Sequence, residues 1–370
     1  MILAADLIFD GKALRPDLAL HLDDSHVVDL IPRPDGLRPL PGIIAPGFVD
    51  LQVNGGDGLM VDGTTDAAAL GRICSAHRRL GCAGVLPTLI TDRSEVTARV
   101  LAAGIQAAHA GTPGFLGLHL EGPHLDPRRA GAHDRALIRP MTDADLAQLI
   151  AAAAQLPALM VTLAPEAVAP DQIAALTRAG VIVSLGHSDC TLAQAQQAFA
   201  AGARAATHLY NAMSQMGHRQ PGLVGALLAG DAQAGIIADG IHVDPVALAV
   251  ALRARPQGLF LVSDCMAVAG TDEDSFDLQG RRILRQDGRL TLADGTLAGA
   301  DLRLDRAMQM AVDAGASPAR ALAMATRIPA DLLGAPLGRL TPACPADLVH
   351  LDADLTLRGI WSGKGWQTPA

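Results

Sequence analysis

Four side chains that could do chemistry each follow a short apolar run. Gly117-Leu-His-Leu-Glu121 ends in a carboxylate, Val181-Ile-Val-Ser-Leu-Gly-His187 in an imidazole, Ala205-Ala-Thr-His208 in a second imidazole, and Leu259-Phe-Leu-Val-Ser-Asp264 in another carboxylate. Glu121, His187 and His208 together offer one carboxylate oxygen and two imidazole nitrogens. That donor set suits one divalent ion with a position left open for water. Zinc is the favoured ion, although iron, cobalt and manganese accept the same donors. Such an ion can lower the pKa of a bound water to about 7 and polarise a carbonyl. Asp264 then has a natural task, taking a proton from the water and later delivering it to a leaving group. Ser188 is expected to orient the neighbouring imidazole, and the Gly122-Pro123 turn to present Glu121 at a rim.

Groups spread over roughly 140 residues meet only if the fold collects strand ends on one face, and parallel α/β barrels do this at their C-terminal strand ends. Eight apolar runs fit that demand: 48–53, 84–90, 114–120, 159–163, 181–185, 205–209, 234–238 and 259–263. Ala-rich segments between them suit crossover helices. One opens on Thr191 and closes on Gly202, and another opens on Asp244-Pro245, both good helix-start signals. The pattern predicts a TIM-like (β/α)8 barrel over residues 47–337. A doubly wound sheet lacks its Gly-rich phosphate turn here, and Gly55-Gly-Asp-Gly58 reads as a flexible loop. Residues 266–299 read as an insertion carrying a hairpin around Gln286-Asp-Gly-Arg289, followed by helices over 302–314 and 318–333. Strands over 3–9, 17–22 and 27–31 precede a Pro-rich stretch, 32–46, and the tail regains strand character at 346–351. Residues 1–46 plus 338–370 are therefore expected to form a small β-sandwich domain beside the barrel.

Composition narrows the function class. The chain has 370 residues, half of them apolar and only 2% aromatic, so aliphatic side chains must fill the barrel interior. A net charge of −9 argues against a nucleic-acid binder, which needs a basic face. Five cysteines without a CxxC spacing point away from a disulfide framework and toward a reducing compartment, and Cys190 reads as a small packed residue. The apolar start is interrupted by Asp6 and has no basic flank, a poor signal peptide. No apolar run reaches the roughly 18 residues of a membrane span. A cytoplasmic protein is expected.

The chain resembles the N-acetylglucosamine-6-phosphate deacetylase family of the amidohydrolase superfamily. The resemblance is carried by Pro46-Gly-Phe-Val-Asp-Leu-Gln-Val-Asn-Gly55, His119-Leu-Glu-Gly-Pro123, Leu185-Gly-His-Ser188, Ala206-Thr-His-Leu-Tyr-Asn-Ala-Met213, Ile237-Ala-Asp-Gly-Ile-His242 and Val262-Ser-Asp264. It implies that Glu121, His187 and His208 are the metal ligands and Asp264 the general base and acid. It implies further that His133 helps polarise the amide carbonyl, and that His242, Asn211 and the backbone at Ala212 hold a sugar phosphate. Arg219 would reach the phosphate of a neighbouring subunit in a homodimer. These roles agree with the need of a dianionic phosphate for cationic or N–H donors.

One departure from the superfamily matters. Many amidohydrolases carry His-x-His after the first strand, where this chain has Gln52-Val-Asn54. Amides are poorer ligands, so one metal ion per subunit is expected, with Gln52 hydrogen-bonding a metal-bound water or contacting the metal weakly. The implied reaction removes acetate from an N-acetylated amino-sugar phosphate, the glucosamine 6-phosphate first. The galactosamine isomer, a cyclic amidase or deaminase, and a non-catalytic sugar-phosphate-binding protein are the alternatives.

Overall fold

The computed structural model describes residues 1–370 other than Asp24, Ala343 and Lys364. Its centre is an eight-stranded parallel sheet: β1 Phe48–Val53, β2 Cys82–Ile90, β3 Leu118–Glu121, β4 Leu159–Leu163, β5 Ile182–Leu185, β6 Ala205–Ala206, β7 Gln233–Ile236 and β8 Leu259–Leu261. Each strand pairs with the next in sequence order, as right-handed βαβ crossovers dictate. The sheet closes just beyond β8, where Val53 bridges Cys265 and Asp264 N–H donates to Gln52 O at 3.0 Å. The (β/α)8 architecture read from the sequence is thus the observed one.

Helix starts follow local chemistry. Thr191 Oγ1 accepts from Gln194 N–H while Gln194 Oε1 accepts from Thr191 N–H at 2.9 Å, a reciprocal cap before Leu192–Ala200. Asp244 caps Pro245–Ala254 one way, its Oδ1 accepting from Val246 N–H at 2.8 Å. Two strand readings are shortened by backbone direction. Left-handed Gly114 and Gly117 keep 114–117 out of β3, and a Cβ on Gly117 would lie 2.0 Å from Ala158 O. At β6 the chain turns left-handed at His208 (φ 33°), so pairing stops at Ala206. The helix expected over 318–333 is two, Pro318–Ala325 and Arg327–Leu333, broken at Thr326. Pro329 has no N–H to give Ala325 O and its ring would clash there. Gly55-Gly-Asp-Gly58 is not a loose loop: Gly55–Gly56 pairs with Leu59–Met60.

The barrel interior corrects a second expectation. Just beneath the C-terminal rim the filling is polar. His119 lies between Leu51 O at 3.0 Å and Thr162 Oγ1 at 2.7 Å, and Thr207 Oγ1 meets Thr162 Oγ1 at 2.6 Å and Ser184 Oγ at 2.7 Å. Every member is buried and partnered, as a polar layer in a low-dielectric interior must be.

Both chain ends contribute to the remaining sheets. Leu40–Pro46, inside the stretch read only as Pro-rich, is a strand between Ala5–Phe9 and Asp347–Leu351. The register slips by one residue between Ala5 and Leu7, so Pro41 and Gly42 fall at an irregularity, where a missing N–H does little harm. A three-stranded sheet of Ile2–Leu3, Leu18–Leu22 and Val27–Pro32 completes this region. Its core contains Ile8, Leu20, Leu22, Ile44, Leu348 and Trp361. After β8 a four-stranded antiparallel flap, Ser275–Leu278, Arg281–Gln286, Arg289–Thr291 and Leu297–Ala300, turns at Asp287-Gly288 as expected. Among the described residues no helix is long and apolar enough to cross a membrane, and all five cysteines are free and buried.

Candidate active site

The mouth of the barrel holds a cavity of about 180 Å³ lined by Glu121, His133, His187, His208, Asn211, Ala212, His242 and Asp264 among others. Glu121 is the last residue of β3, while His187, His208 and Asp264 lie just beyond β5, β6 and β8. Three of these take left-handed backbone, His187 at φ 47°, His208 at φ 33° and Asp264 at φ 49°. A left-handed step at a strand end redirects the next side chains, and it persists at functional sites because the surroundings over-determine it. Gly186 is needed for space rather than for torsion, since a Cβ there would lie 2.8 Å from Thr162.

Glu121 Oε1 lies 3.2 Å from His187 Nε2 and 3.0 Å from His208 Nε2, and those two nitrogens are 3.1 Å apart. The carboxylate is 2% exposed and its ion-pair partners among the described residues are histidines only. A buried carboxylate with no Lys or Arg is costly, and three donor atoms at these separations match the edges of a coordination shell with bonds of roughly 2.0–2.1 Å. The residues therefore fit a cation. Glu121, His133 and His187 also form a group whose ligand atoms all lie within 4.8 Å of one another. Burial alone would raise the Glu121 pKa, but the three histidines gathered around it, His133, His187 and His208, outweigh that and hold the group well below the carboxylate range.

Hydrogen bonds give the neighbouring histidines opposite faces. His187 Nδ1 donates to Arg129 O at 2.8 Å, which leaves Nε2 a lone pair toward Glu121. His133 Nδ1 instead accepts, from Thr91 N–H at 3.3 Å and beside Thr91 Oγ1 at 2.7 Å. Its proton then belongs on Nε2, facing the cavity 3.7 Å from Glu121 Oε2. Burial, reinforced by His187, lowers its pKa to about 4, so it is a neutral donor. His187 is thus built as a ligand and His133 as a hydrogen-bond donor, although the two rings are only 4.3 Å apart.

Asp264 accepts a 2.7 Å hydrogen bond from Asn54 Nδ2. Burial, then the charge of Glu121, pushes its pKa up to about 6, against the pull of His208, His242 and Asn54. A carboxyl group titrating near neutrality can both take and return a proton. His242 Nδ1 donates to Asp239 Oδ2 at 2.6 Å, and Asp239 Oδ1 accepts from the N–H groups of Ile241 and His242. Asn54 Oδ1 and His208 Nδ1 are buried without a hydrogen-bond partner among the described residues.

Three residues singled out by the sequence lie outside the lining of the cavity. Ser188 does not touch the His187 ring; its hydroxyl donates to Glu166 Oε2 at 2.8 Å, and Arg129 O is the orienting group. Gln52 does not line the cavity but donates to Glu121 Oε1 at 3.2 Å. Arg219 is exposed in the loop before Gly222–Ala229, outside the cavity of this chain. Sequence reasoning missed Thr91, the Arg129 carbonyl, Asp239 and the apolar lining residues Ile90, Met266, Leu278 and Leu297. Of these only Asp239, three residues before His242, carried a local signal.

Comparison with known proteins shows the family of the chain. The amidohydrolase family model matches residues 43–365. The chain belongs to the amidohydrolase family. It is 38% identical over 328 residues to an N-acetylgalactosamine-6-phosphate deacetylase of Shewanella sp. (strain ANA-3), covering 88% of this chain and 83% of the relative. It is also 38% identical over 346 residues to the N-acetylglucosamine-6-phosphate deacetylase of Homo sapiens, covering 89% and 84%. The crystal structure of N-acetylglucosamine-6-phosphate deacetylase from Pasteurella multocida superposes over 100% of both chains with a TM-score of 0.92 at 30% identity. Within its family this amidohydrolase therefore groups with the amino-sugar-phosphate deacetylases.

Proposed function

We propose that this amidohydrolase is a cytoplasmic enzyme that hydrolyses the acetamide of N-acetyl-D-glucosamine 6-phosphate, releasing acetate and leaving D-glucosamine 6-phosphate. The observation that carries the reading is the division of labour around Glu121: one imidazole offers a lone pair, its neighbour offers an N–H, and a buried carboxyl group stands by. Glu121, His187 and His208 would hold one divalent ion, zinc by preference. When bound, that ion supplies Lewis acidity toward water and carbonyl oxygen.

The chain's own residues do the rest. Asp264 accepts the proton of the attacking water, and His133 Nε2–H donates to the carbonyl oxygen as it gains charge. Asp264 then returns the proton to nitrogen as the C–N bond breaks. Gln52 steadies Glu121. His242, held by Asp239, and Asn211 face the sugar phosphate from the loops after β7 and β6. Left-handed φ values at His208, Tyr210 and Ala212 give the β6 loop the kind of alternating backbone that gathers N–H groups around an anion. Arg219 completes the phosphate site from a second subunit. Exposed Met216, Val246 and Val250 support a homodimer, with residues 1–46 plus 338–370 as a small β domain apart from the barrel 47–337.

A second reading, the galactosamine epimer, has specific support: the relatives named for each sugar are equally identical to this chain. Acetate release from both epimers, with and without chelator, tests the proposal. Chelator-sensitive release from the glucosamine substrate is expected, with the higher kcat/KM. Faster turnover of the galactosamine substrate would select the second reading, and release from neither would leave a binding protein.

A further inference from the structure

The cavity lining is not uniform in character. Loops after β5, β6 and β7 present His187, His208, Asn211 and His242, while Ile90 from β2, Ala132 from the β3 loop, and Met266, Leu278 and Leu297 from beyond β8 form an apolar wall opposite. Nothing in the chemistry of a metal, a proton carrier or a phosphate calls for that wall. Resting on the reading above, we propose that it is the subsite for the acyl group, and that Leu278 of the flap sets how long that group can be.

Amide geometry supplies the link. A secondary amide is planar and trans, so its two flanking carbons lie at opposite ends of the group. With the sugar carbon toward Asn211 and His242, the acyl carbon must project away from them, onto Ile90, Met266 and Leu278. The wall is also rigid enough to measure. Leu278 is 3% exposed and packs with Ile90, Met266, Val268, Ile283 and Leu290. The strand end that carries it is tied to the barrel, since Gln279 Nε2 donates to Thr91 O at 3.1 Å and Arg281 Nη2 to Ala132 O at 2.7 Å. These anchors adjoin His133, the residue aimed at the carbonyl, so chain length is read one step beyond the reacting carbon.

The test compares acetyl and propionyl derivatives of the same hexosamine 6-phosphate, following acetate and propionate release from the metal-loaded enzyme. One methylene too many in a fitted apolar pocket costs on the order of 10-fold or more in kcat/KM, so the wild type should prefer acetyl by at least that factor. Leu278→Ala should raise the propionyl-to-acetyl ratio by on the order of 10-fold. Ile283→Ala loosens the same small core without lining the cavity, and should lower Tm while leaving the ratio unmoved. An unchanged ratio in Leu278→Ala, or an equal change in Ile283→Ala, would overturn the assignment while acetate release by the wild type keeps the deacetylase reading intact. Absence of acetate from the wild type would remove that reading, and the subsite with it.

Discussion

In the sheets made from the two chain ends, Ile8, Leu20, Leu22, Ile44 and Leu348 are essentially inaccessible and pack into an apolar core. At the barrel rim Glu121, His133, His187, His208 and Asp264 are nearly as deeply buried, yet all are polar. The first region gains stability from burial at about 25 cal/mol per Å² of apolar surface. The second loses it, because left-handed torsions at His187, His208 and Asp264 are each unfavourable by roughly 1–3 kcal/mol, and desolvated charges add their own cost. What the contrast teaches is that the rim survives by being held from outside, by the closed barrel and the polar layer beneath it. Substitutions should therefore separate cleanly into those that change rate and those that change stability.

The largest separation is expected at Asp264. Asp264→Asn keeps the shape and the Asn54 neighbour but removes the proton carrier, and should lower kcat by about 10²–10⁴-fold. Tm and bound metal should stay at wild-type levels, since a desolvated carboxylate is being replaced by a neutral amide. Near-normal turnover with stoichiometric metal would sink the role given to Asp264. The mirror experiment is Trp361→Ala. Trp361 is 7% exposed and meets Trp366 edge-on at 5.5 Å between centroids, so its loss should cost about 3–5 kcal/mol of stability. Denaturant unfolding should show that loss while kcat/KM at low temperature stays within twofold or so of wild type. A matching collapse of kcat/KM would mean that the terminal sheets and the rim are coupled.

The same contrast explains what the sequence made legible. Barrel strands are apolar runs ending in a chemical group, a local pattern, and those groups do meet in one cavity. The histidine faces are not local: they are decided by Thr91 and Arg129, 42 and 58 residues from their partners. The polar layer was hidden because Thr162 and Ser184 sit in strands, and Thr207 just past one, where threonine and serine read simply as strand formers. Leu40–Pro46 was hidden by its prolines, since its pairing partner Asp347–Leu351 lies about 300 residues away. The apolar wall escaped notice because Leu278 and Leu297 belong to a flap whose pattern predicts a hairpin but not what the hairpin covers.

Arg219 sharpens the comparison at the surface, where neither burial nor torsion is at stake. Its side chain lies outside the cavity of its own chain, in a loop with exposed Met216. Arg219→Ala should leave Tm unchanged and raise KM for the sugar phosphate by about 10–100-fold, the worth of one charged hydrogen bond of roughly 1.5–3 kcal/mol. Light scattering should show a dimer in both forms. An unchanged KM would take Arg219 out of the phosphate site.

The smallest effect sits on the boundary between the two behaviours, at the seam where β1 meets β8. Asp50 is 1% exposed and accepts from Ser263 N–H at 3.2 Å, so it helps close the barrel while carrying an ionisable group. Burial pushes its pKa up to about 7, against hydrogen bonds from Ser263 and Gln52. An unfolded aspartate titrates near 4, so between about 4 and 7 the folded chain keeps a proton that the unfolded chain releases. The contribution is therefore fully present below the unfolded value and is lost as pH rises through the folded one. Asp50→Asn removes the titration and keeps the shape. Measured by thermal unfolding from about pH 5 to about pH 8, the Tm of the variant relative to wild type should climb by a few degrees with pH. A difference that stays flat would mean that Asp50 is ionised throughout, and that the seam, like the rim, tolerates a buried charge.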